Sequence, residues 1–323
     1  MNNVLYIGDF RGGSGPSIVD LSLKNELNSV RNIEFIQIDK NLKRLFRDIK
    51  KFDHLHFSGL STKGIIYALI FKVFNKKVSH TSHGAVRFLD INNIKQSKIK
   101  LIKEFVSFFI SNSIIAVSDS YKEVIKETYP QFAPKIKFIN NGGSNFSGEK
   151  IIKFNSNKLS IVTFGGDRVE KGTYELYKTI KKFIIDNEFF NGEVELHIIG
   201  GISDISKFDS SIVTLHGEIP QVEVIKVLRF CNLYVQNSFY ETFCMSALEA
   251  VELNLPVLLK ASIGLPVILN ERFKFNNVNE LLNILDEIMQ AKVKEQVLIL
   301  PDLSWDNSSR NYMKMWRIDN EKT

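Results

Sequence analysis

Short runs of Ile, Val, Leu and Phe recur along the chain, and most are followed by a longer stretch in which apolar residues return every three or four positions. The short runs are too continuous for strands with one wet face; they fit parallel strands covered on both sides, and the longer stretches fit amphipathic helices. Strands are expected at 4–9, 33–39, 53–57, 78–82, 113–118 and 135–141, and again at 159–164, 193–200, 212–217, 231–238 and 256–260. Helices are expected between them, among them 17–29, 40–52, 62–74, 119–129, 278–289 and a last one ending at Trp316. Ser144 to Asn157 is polar, with Gly148 and three Asn, and reads as a linker. The predicted architecture is α/β with parallel sheets in two domains.

A length of 323 residues suits two domains of that size, and 44% hydrophobic content is enough for ordinary cores. No run of eighteen apolar residues is present, the first strand starts at Val4 with no signal-peptide pattern before it, and Cys231 and Cys244 are the only cysteines. A cytoplasmic protein is the expectation. The net charge of +6 is uneven: residues 1–150 carry 23 Lys and Arg against 13 Asp and Glu, and the remainder 19 against 23. A basic N-terminal half suits an anionic partner such as a membrane face, a lipid-linked phosphate or an acidic polysaccharide, or else is solvated surface. The helix expected at 40–52 places Leu42, Leu45, Phe46, Ile49 and Phe52 on one face among lysines and arginines, so it suits a membrane surface or, more plainly, packing on the sheet. No zinc spacing or aromatic RNA-binding strand accompanies the charge, which argues against nucleic acid.

Candidate chemistry gathers at strand ends. Gly12-Gly13 precede the first helix, but a dinucleotide fingerprint would need a third glycine that is absent. Thr81-Ser82-His83-Gly84 puts a histidine at the carboxyl end of a parallel strand, where open α/β sheets bind ligands. Gly165-Gly166-Asp167-Arg168-Val169-Glu170-Lys171-Gly172 offers two cations in a glycine-rich loop, suited to a diphosphate. Ser238-Phe239-Tyr240-Glu241-Thr242-Phe243-Cys244-Met245-Ser246-Ala247-Leu248-Glu249-Ala250 passes from loop chemistry into a helix expected to begin near Phe243. The unpaired amides at such a helix start face an anion site, with Glu241 before it and Glu249 two turns inside.

This last segment resembles the Glu-x7-Glu signature of the retaining GT-B glycosyltransferases of glycosyltransferase family 4, usually Ser-x-x-Glu-x-Phe-Gly-x-x-x-x-Glu-Ala. Cys244 stands where Gly is usual, Asn254 where a Gly precedes the Pro256-Val257 strand, Val267 where a Glu is usual, and Arg168 two positions nearer Lys171 than usual. The resemblance extends to Gly12-Gly13, to Thr81-Ser82-His83-Gly84, to Asn141-Gly142-Gly143 and to Ser304-Trp305 before the last helix. It implies the GT-B fold, two Rossmann-like domains with parallel sheets facing across a cleft: an acceptor domain at 1–143, the linker at 144–157, a donor domain at 158–303 and a helix at 304–323 crossing back to the first domain.

The implied activity is transfer of a hexosyl or N-acetylhexosaminyl group, with retention, from a nucleoside-diphosphate sugar, UDP-sugars favoured, to a glycan, glycolipid or glycoprotein hydroxyl in cell-surface polysaccharide assembly. His83, Glu241, Arg168 and Lys171 take the catalytic roles. Gly13, Phe243, Cys244, Met245, Ser246 and Glu249 hold the donor. No cofactor and no metal are implied. A peripheral position on an anionic membrane surface goes with the basic N-terminal half, and a non-catalytic sugar-binding subunit of a transferase complex is the alternative.

Overall fold

A parallel strand between two helical layers must bury every side chain, and the computed structural model shows this in β1 (Val4–Gly8), buried at all five positions. The structure describes residues 2–37, 49–143, 147–155, 157–188 and 193–318. It divides into two compact units, one formed by Met1–Phe146 with Asp302–Thr323 and the other by Ser147–Pro301. Most of the helix expected at 40–52 lies outside the described residues; Ile49 and Phe52 at its end are buried.

In the first unit β1 is followed by α1 (Gly15–Leu27), β2 (Ile33–Gln37), β3 (His54–Ser58), α2 (Thr62–Val73), β4 (Lys77–Ser82), α3 (Val86–Ile91), α4 (Lys98–Ile110), β5 (Ser113–Ala116), α5 (Asp119–Thr128) and β6 (Ile136–Phe138). The sheet runs β2-β1-β3-β4-β5-β6 with every pair parallel, Val4 lying opposite both Ile33 and His54. Strand order reverses at β1, whose neighbours are β2 and β3. Serine side chains start the helices: Ser14, Ser61, Ser97 and Ser118 each accept from the amide three residues on.

The second unit contains β7 (Gly148–Lys153), β8 (Leu159–Phe164), α6 (Thr173–Asp186), β9 (Val194–Ile199), β10 (Val213–Gly217), α7 (Gln221–Phe230), β11 (Leu233–Gln236), α8 (Met245–Glu252), β12 (Val257–Lys260), β13 (Ile268–Leu269), β14 (Lys274–Phe275), α9 (Val278–Met289) and β15 (Glu295–Leu300). Its main sheet runs β10-β9-β8-β11-β12-β14, all parallel, which is the doubly wound order with the switch point between β8 and β11.

Part of the expected linker is a strand. β7 pairs antiparallel with β15, Val297 opposite Ile151, and β13 completes this small sheet. A strand with one wet face needs few apolar residues: Ile152 is buried, and Lys150 Nζ donates to the carbonyls of Val251 (2.6 Å) and Glu252 (3.2 Å). Polar composition therefore hid it.

The chain returns to the first unit and ends in α10 (Trp305–Trp316), capped by Ser304. Trp316 is fully buried, its Nε1 donates to Ser79 Oγ (3.4 Å), and Tyr312 OH meets Thr81 Oγ1 (2.8 Å). A Cβ on Gly142 would lie 2.2 Å from the Trp305 ring, so only glycine admits that indole.

Candidate active site

The switch point of the second unit brings two loops together. The β8 loop is glycine-rich because it packs backbone on backbone. A Cβ on Gly166 (φ 59°) would lie 2.2 Å from the Gly201 carbonyl oxygen, and one on Gly172 (φ 61°) 2.5 Å from that of Asn237. Phe239 N–H donates to the Glu170 carbonyl (2.8 Å), tying this loop to the one after β11. The result is an ion pair, Lys171 Nζ to Glu241 Oε1 at 2.5 Å, with the side chains 16% and 13% exposed.

A buried polar chain stands behind the carboxylate. Glu241 Oε1 also accepts from Ser238 Oγ (2.7 Å), which accepts from Gln236 Nε2 (2.7 Å), while Gln236 Oε1 accepts from Tyr234 OH (2.6 Å). The phenol has one hydrogen, already committed to Gln236, so Ser246 Oγ donates to Tyr234 OH (2.8 Å). Tyr234, Gln236 and Ser238 are fully buried, and in so dry a setting each bond polarises the next. The chain links the first turn of α8 to Glu241 and Lys171.

α8 begins at Met245, two residues later than expected. Cys244 precedes it with φ 63°, the left-handed conformation that explains why glycine is usual there, and Asn254 takes the same conformation at φ 62°. The Cys244 thiol is buried and pushed up to about 12, so it is uncharged at neutral pH. Phe243 has its side chain in the core and can offer a ligand only its backbone. The amides of Met245 and Ser246 precede the first intrahelical bonds and are free to meet an anion. Glu249, on the second turn, accepts from Gln221 Nε2 (3.2 Å), and burial pushes its carboxyl up to about 7.

Arg168 does not share the place of Lys171. It is exposed, its Nε donates to the Gly165 carbonyl (3.3 Å), and it lines a cavity of about 420 Å³ with Tyr174, Ser203, Lys207 and Phe208. Neither Lys171 nor Glu241 is part of that cavity wall.

In the first unit the neighbours β1 and β3 carry a second polar chain. His83, just past β4, meets Ser58 Oγ through Nε2 (2.7 Å), and Ser58, the last residue of β3, also hydrogen-bonds Asp20. Asp20 accepts from Tyr6 OH and from the Asp9 amide, both at 2.8 Å, which fixes the start of the glycine loop. Burial pushes Asp20 up to about 7 and holds His83 down at about 4, so this partly exposed histidine is neutral at physiological pH. Gly13 is exposed, and a side chain there would meet nothing within 4 Å, so packing does not demand glycine. His56 and His80 are fully buried within the sheet layer.

The positions that sequence reasoning missed are Asp20, Ser58, Tyr234 and Gln236; Ser238 was read as part of the motif but given no role. Tyr234 and Gln236 on β11 and Ser238 just past it recur at a polar period of two, which is the signal that could have found them. Among the described residues no three His, Cys, Asp or Glu side chains are grouped to hold a metal ion.

Two doubly wound units with parallel sheets in one chain define the class: this is a GT-B fold. Solved structures share it over almost their whole length. Sucrose-phosphate synthase from Thermosynechococcus elongatus is 16% identical with a TM-score of 0.68, covering 98% of each chain. HepE from Anabaena, in complex with UDP and glucose, is 12% identical with a TM-score of 0.63, covering 98% of this chain and 96% of that one. The catalytic domain of starch synthase IV from Arabidopsis thaliana, bound to ADP and acarbose, is 10% identical with a TM-score of 0.63, covering 98% and 99%. No curated protein matches the chain by sequence. Residues 149–299, nearly all of the second unit, match the family model for glycosyl transferases group 1.

Proposed function

We propose that the chain is a retaining glycosyltransferase that moves a hexosyl or N-acetylhexosaminyl group from a nucleoside-diphosphate sugar, UDP-sugars first, to a glycan, glycolipid or glycoprotein hydroxyl in cell-surface glycan assembly. The observation that carries this proposal is the Lys171–Glu241 pair at the β8/β11 switch point, linked through buried hydrogen bonds to the first turn of α8. The diphosphate would lie on the Met245 and Ser246 amides with Lys171 beside it, and Glu249 would accept from the nucleotide's ribose. Glu241 would orient the sugar.

In the reaction the bond from the anomeric carbon to the diphosphate oxygen breaks, and the acceptor oxygen bonds the same carbon on the same face. The acceptor's proton passes to the departing phosphate oxygen. Charge growing on the leaving diphosphate is met by Lys171 and the helix amides, which are in place before the reaction begins. Neutral His83 would hydrogen-bond the donor sugar rather than carry charge. No metal enters this scheme. The site of action would be the cytoplasmic face of a membrane, with the protein bound peripherally.

The test is to incubate the full chain with UDP-, GDP- and ADP-sugars and simple glycan or lipid-linked acceptors, following nucleotide release and the anomeric configuration by NMR. A product with the donor's configuration supports the proposal, and an inverted product overturns the retaining mechanism. A second reading, a GT-B subunit that binds sugar without turnover, is favoured by Arg168 lying away from Lys171 and by Cys244 in glycine's place. Donor binding with no nucleotide release to any acceptor or to water would select it.

A further inference from the structure

Two neighbouring helices of the first unit leave apolar stripes uncovered. α2 buries Tyr67, Ala68 and Phe71 in the same core that receives Val106 and Ile110 of α4, so the two helices lie side by side on the sheet. On its outer side α2 presents Ile66, Leu69 and Val73, the last 83% exposed, with Phe74 just beyond its end. α4 presents Ile99, Ile102, Phe105 and Phe109, three of them more than 60% exposed. Spacings of three and four residues make each set a stripe along its helix. Together they form an exposed apolar surface that needs a partner.

The charge around the stripes is mostly positive, although Asp53, just before β3, pairs with Lys76 (3.9 Å). Between His54 and Ser118 the only carboxylates are Asp90 and Glu104, against nine Lys and Arg. Glu104 is turned inward, accepting from the amides of Val86 and Arg87 (2.9 Å each) and from Tyr129 OH (2.8 Å). Asp90 accepts from the Gln96 amide (3.0 Å). At helical spacing Lys98 falls on the side of α4 that carries the stripe and Lys103 on its flank, and Lys72 flanks Val73 on α2. Next to the α4 stripe a cavity of about 400 Å³ is lined by Ile91, Leu101, Ile102 and Phe105, with both Arg87 and Asp90 on its wall.

Lysine is depleted from the cores of protein–protein interfaces, whereas aliphatic and aromatic residues interleaved with lysines are what a helix needs to lie at a lipid surface. The stems of the lysines can run along the apolar layer while their ammonium groups meet phosphates. Among the described residues no helix is long and apolar enough to cross a membrane, so the contact would be lateral. We infer that the outer face of α2 and α4 docks on an anionic phospholipid bilayer, with the two apolar stripes inserted and the α4 lysines over the headgroups. This rests on the peripheral-membrane part of the proposed function and names the surface and the lipid chemistry.

The test is flotation of the full chain with vesicles of phosphatidylcholine alone or mixed with phosphatidylglycerol. Wild type should float with the anionic vesicles only and be released by salt. The pair Ile102→Ser with Phe109→Ser, and separately Lys98→Glu with Lys103→Glu, should each lower capture about tenfold or more. Nucleotide binding, read by thermal shift, should be unchanged in both variants, since α4 is not in the second unit. An environment-sensitive dye on Ile102→Cys, with both native cysteines buried, should shift to shorter wavelength on anionic vesicles whatever the variants' stability. The inference is overturned by no capture of wild type, by capture indifferent to lipid charge, by variants that float like wild type, or by a lipid-free dimer that the same variants abolish. Vesicle capture without nucleotide binding would remove the donor site and leave this surface standing.

Discussion

Glu241 is held by an ion pair and a hydrogen bond to the same oxygen, so the two sides of that contact can be separated by mutation. Glu241→Gln keeps the shape and the Ser238 bond but loses the charge; transfer should fall about 10²–10³-fold, with donor affinity changed far less, as steady-state kinetics beside calorimetry will show. Gln236→Leu tests the chain behind it. Tyr234 OH and Ser238 Oγ would both lose a buried partner, which costs about 1–3 kcal/mol per group left unsatisfied; urea unfolding would read that loss, and a transfer rate falling with it would show that the chain positions Glu241. Glu249 carries a further prediction. Its folded carboxyl sits at about 7 against an ordinary 4.5, so the native state binds the proton more tightly between those values. The stabilisation this gives is full below about 4.5 and is lost as pH rises through 7. A nucleotide whose hydroxyls need the ionised carboxylate must therefore expel a proton near neutral pH. Calorimetry in buffers of different ionisation enthalpy should detect that proton in wild type and not in Glu249→Gln.

At the scale of elements, most strands of both main sheets, though not β14, were legible because they are short stretches rich in Ile, Val, Leu and Phe, and most helices repeat at three and four. The helix at 278–289 was expected at its observed bounds, since Leu281, Ile284, Leu285 and Ile288 are its buried stripe. The antiparallel sheet of β7, β13 and β15 was not legible: alternate residues of β15 face water, and pairing over some 140 residues of sequence leaves no local mark. Of the candidate site, the residue types and their loops could be read, because glycines and charges at strand ends are local. That Lys171 and not Arg168 meets Glu241 could not be read, because it depends on how a three-residue 3₁₀ turn at Val169–Lys171 aims the two cations. The last helix was foreseen from its Ser-Trp start, and its hold on the first unit can be measured. Trp316→Ala removes a fully buried indole and its bond to Ser79, and should destabilise the first unit by about 3–5 kcal/mol in denaturant unfolding.

Across the whole molecule the two units should respond differently to acid. His54, His56, His80 and His83 of the first unit are all held below the ordinary imidazole range, chiefly by burial, with His54 and His83 at about 4 and His80 at about 3. As pH falls from 6.5 toward 4 the unfolded chain takes up these protons and the folded unit does not, so stability is lost. Asp20, raised to about 7, and Glu104, also raised by burial, work the other way but are two groups against four. Hydrogen exchange should find the first unit opening before the second over that range; the reverse order would contradict the buried neutral histidines. The central claim is that the second unit carries a nucleotide-sugar donor site built on Lys171, Glu241 and the start of α8. It is tested most directly by calorimetric titration of UDP, GDP and ADP into the full chain and into Lys171→Ala and Glu249→Ala. The expected result is binding of one nucleotide, UDP first, weakened about tenfold or more in each variant. Binding of none by the wild type, or equal binding by all three proteins, would contradict it.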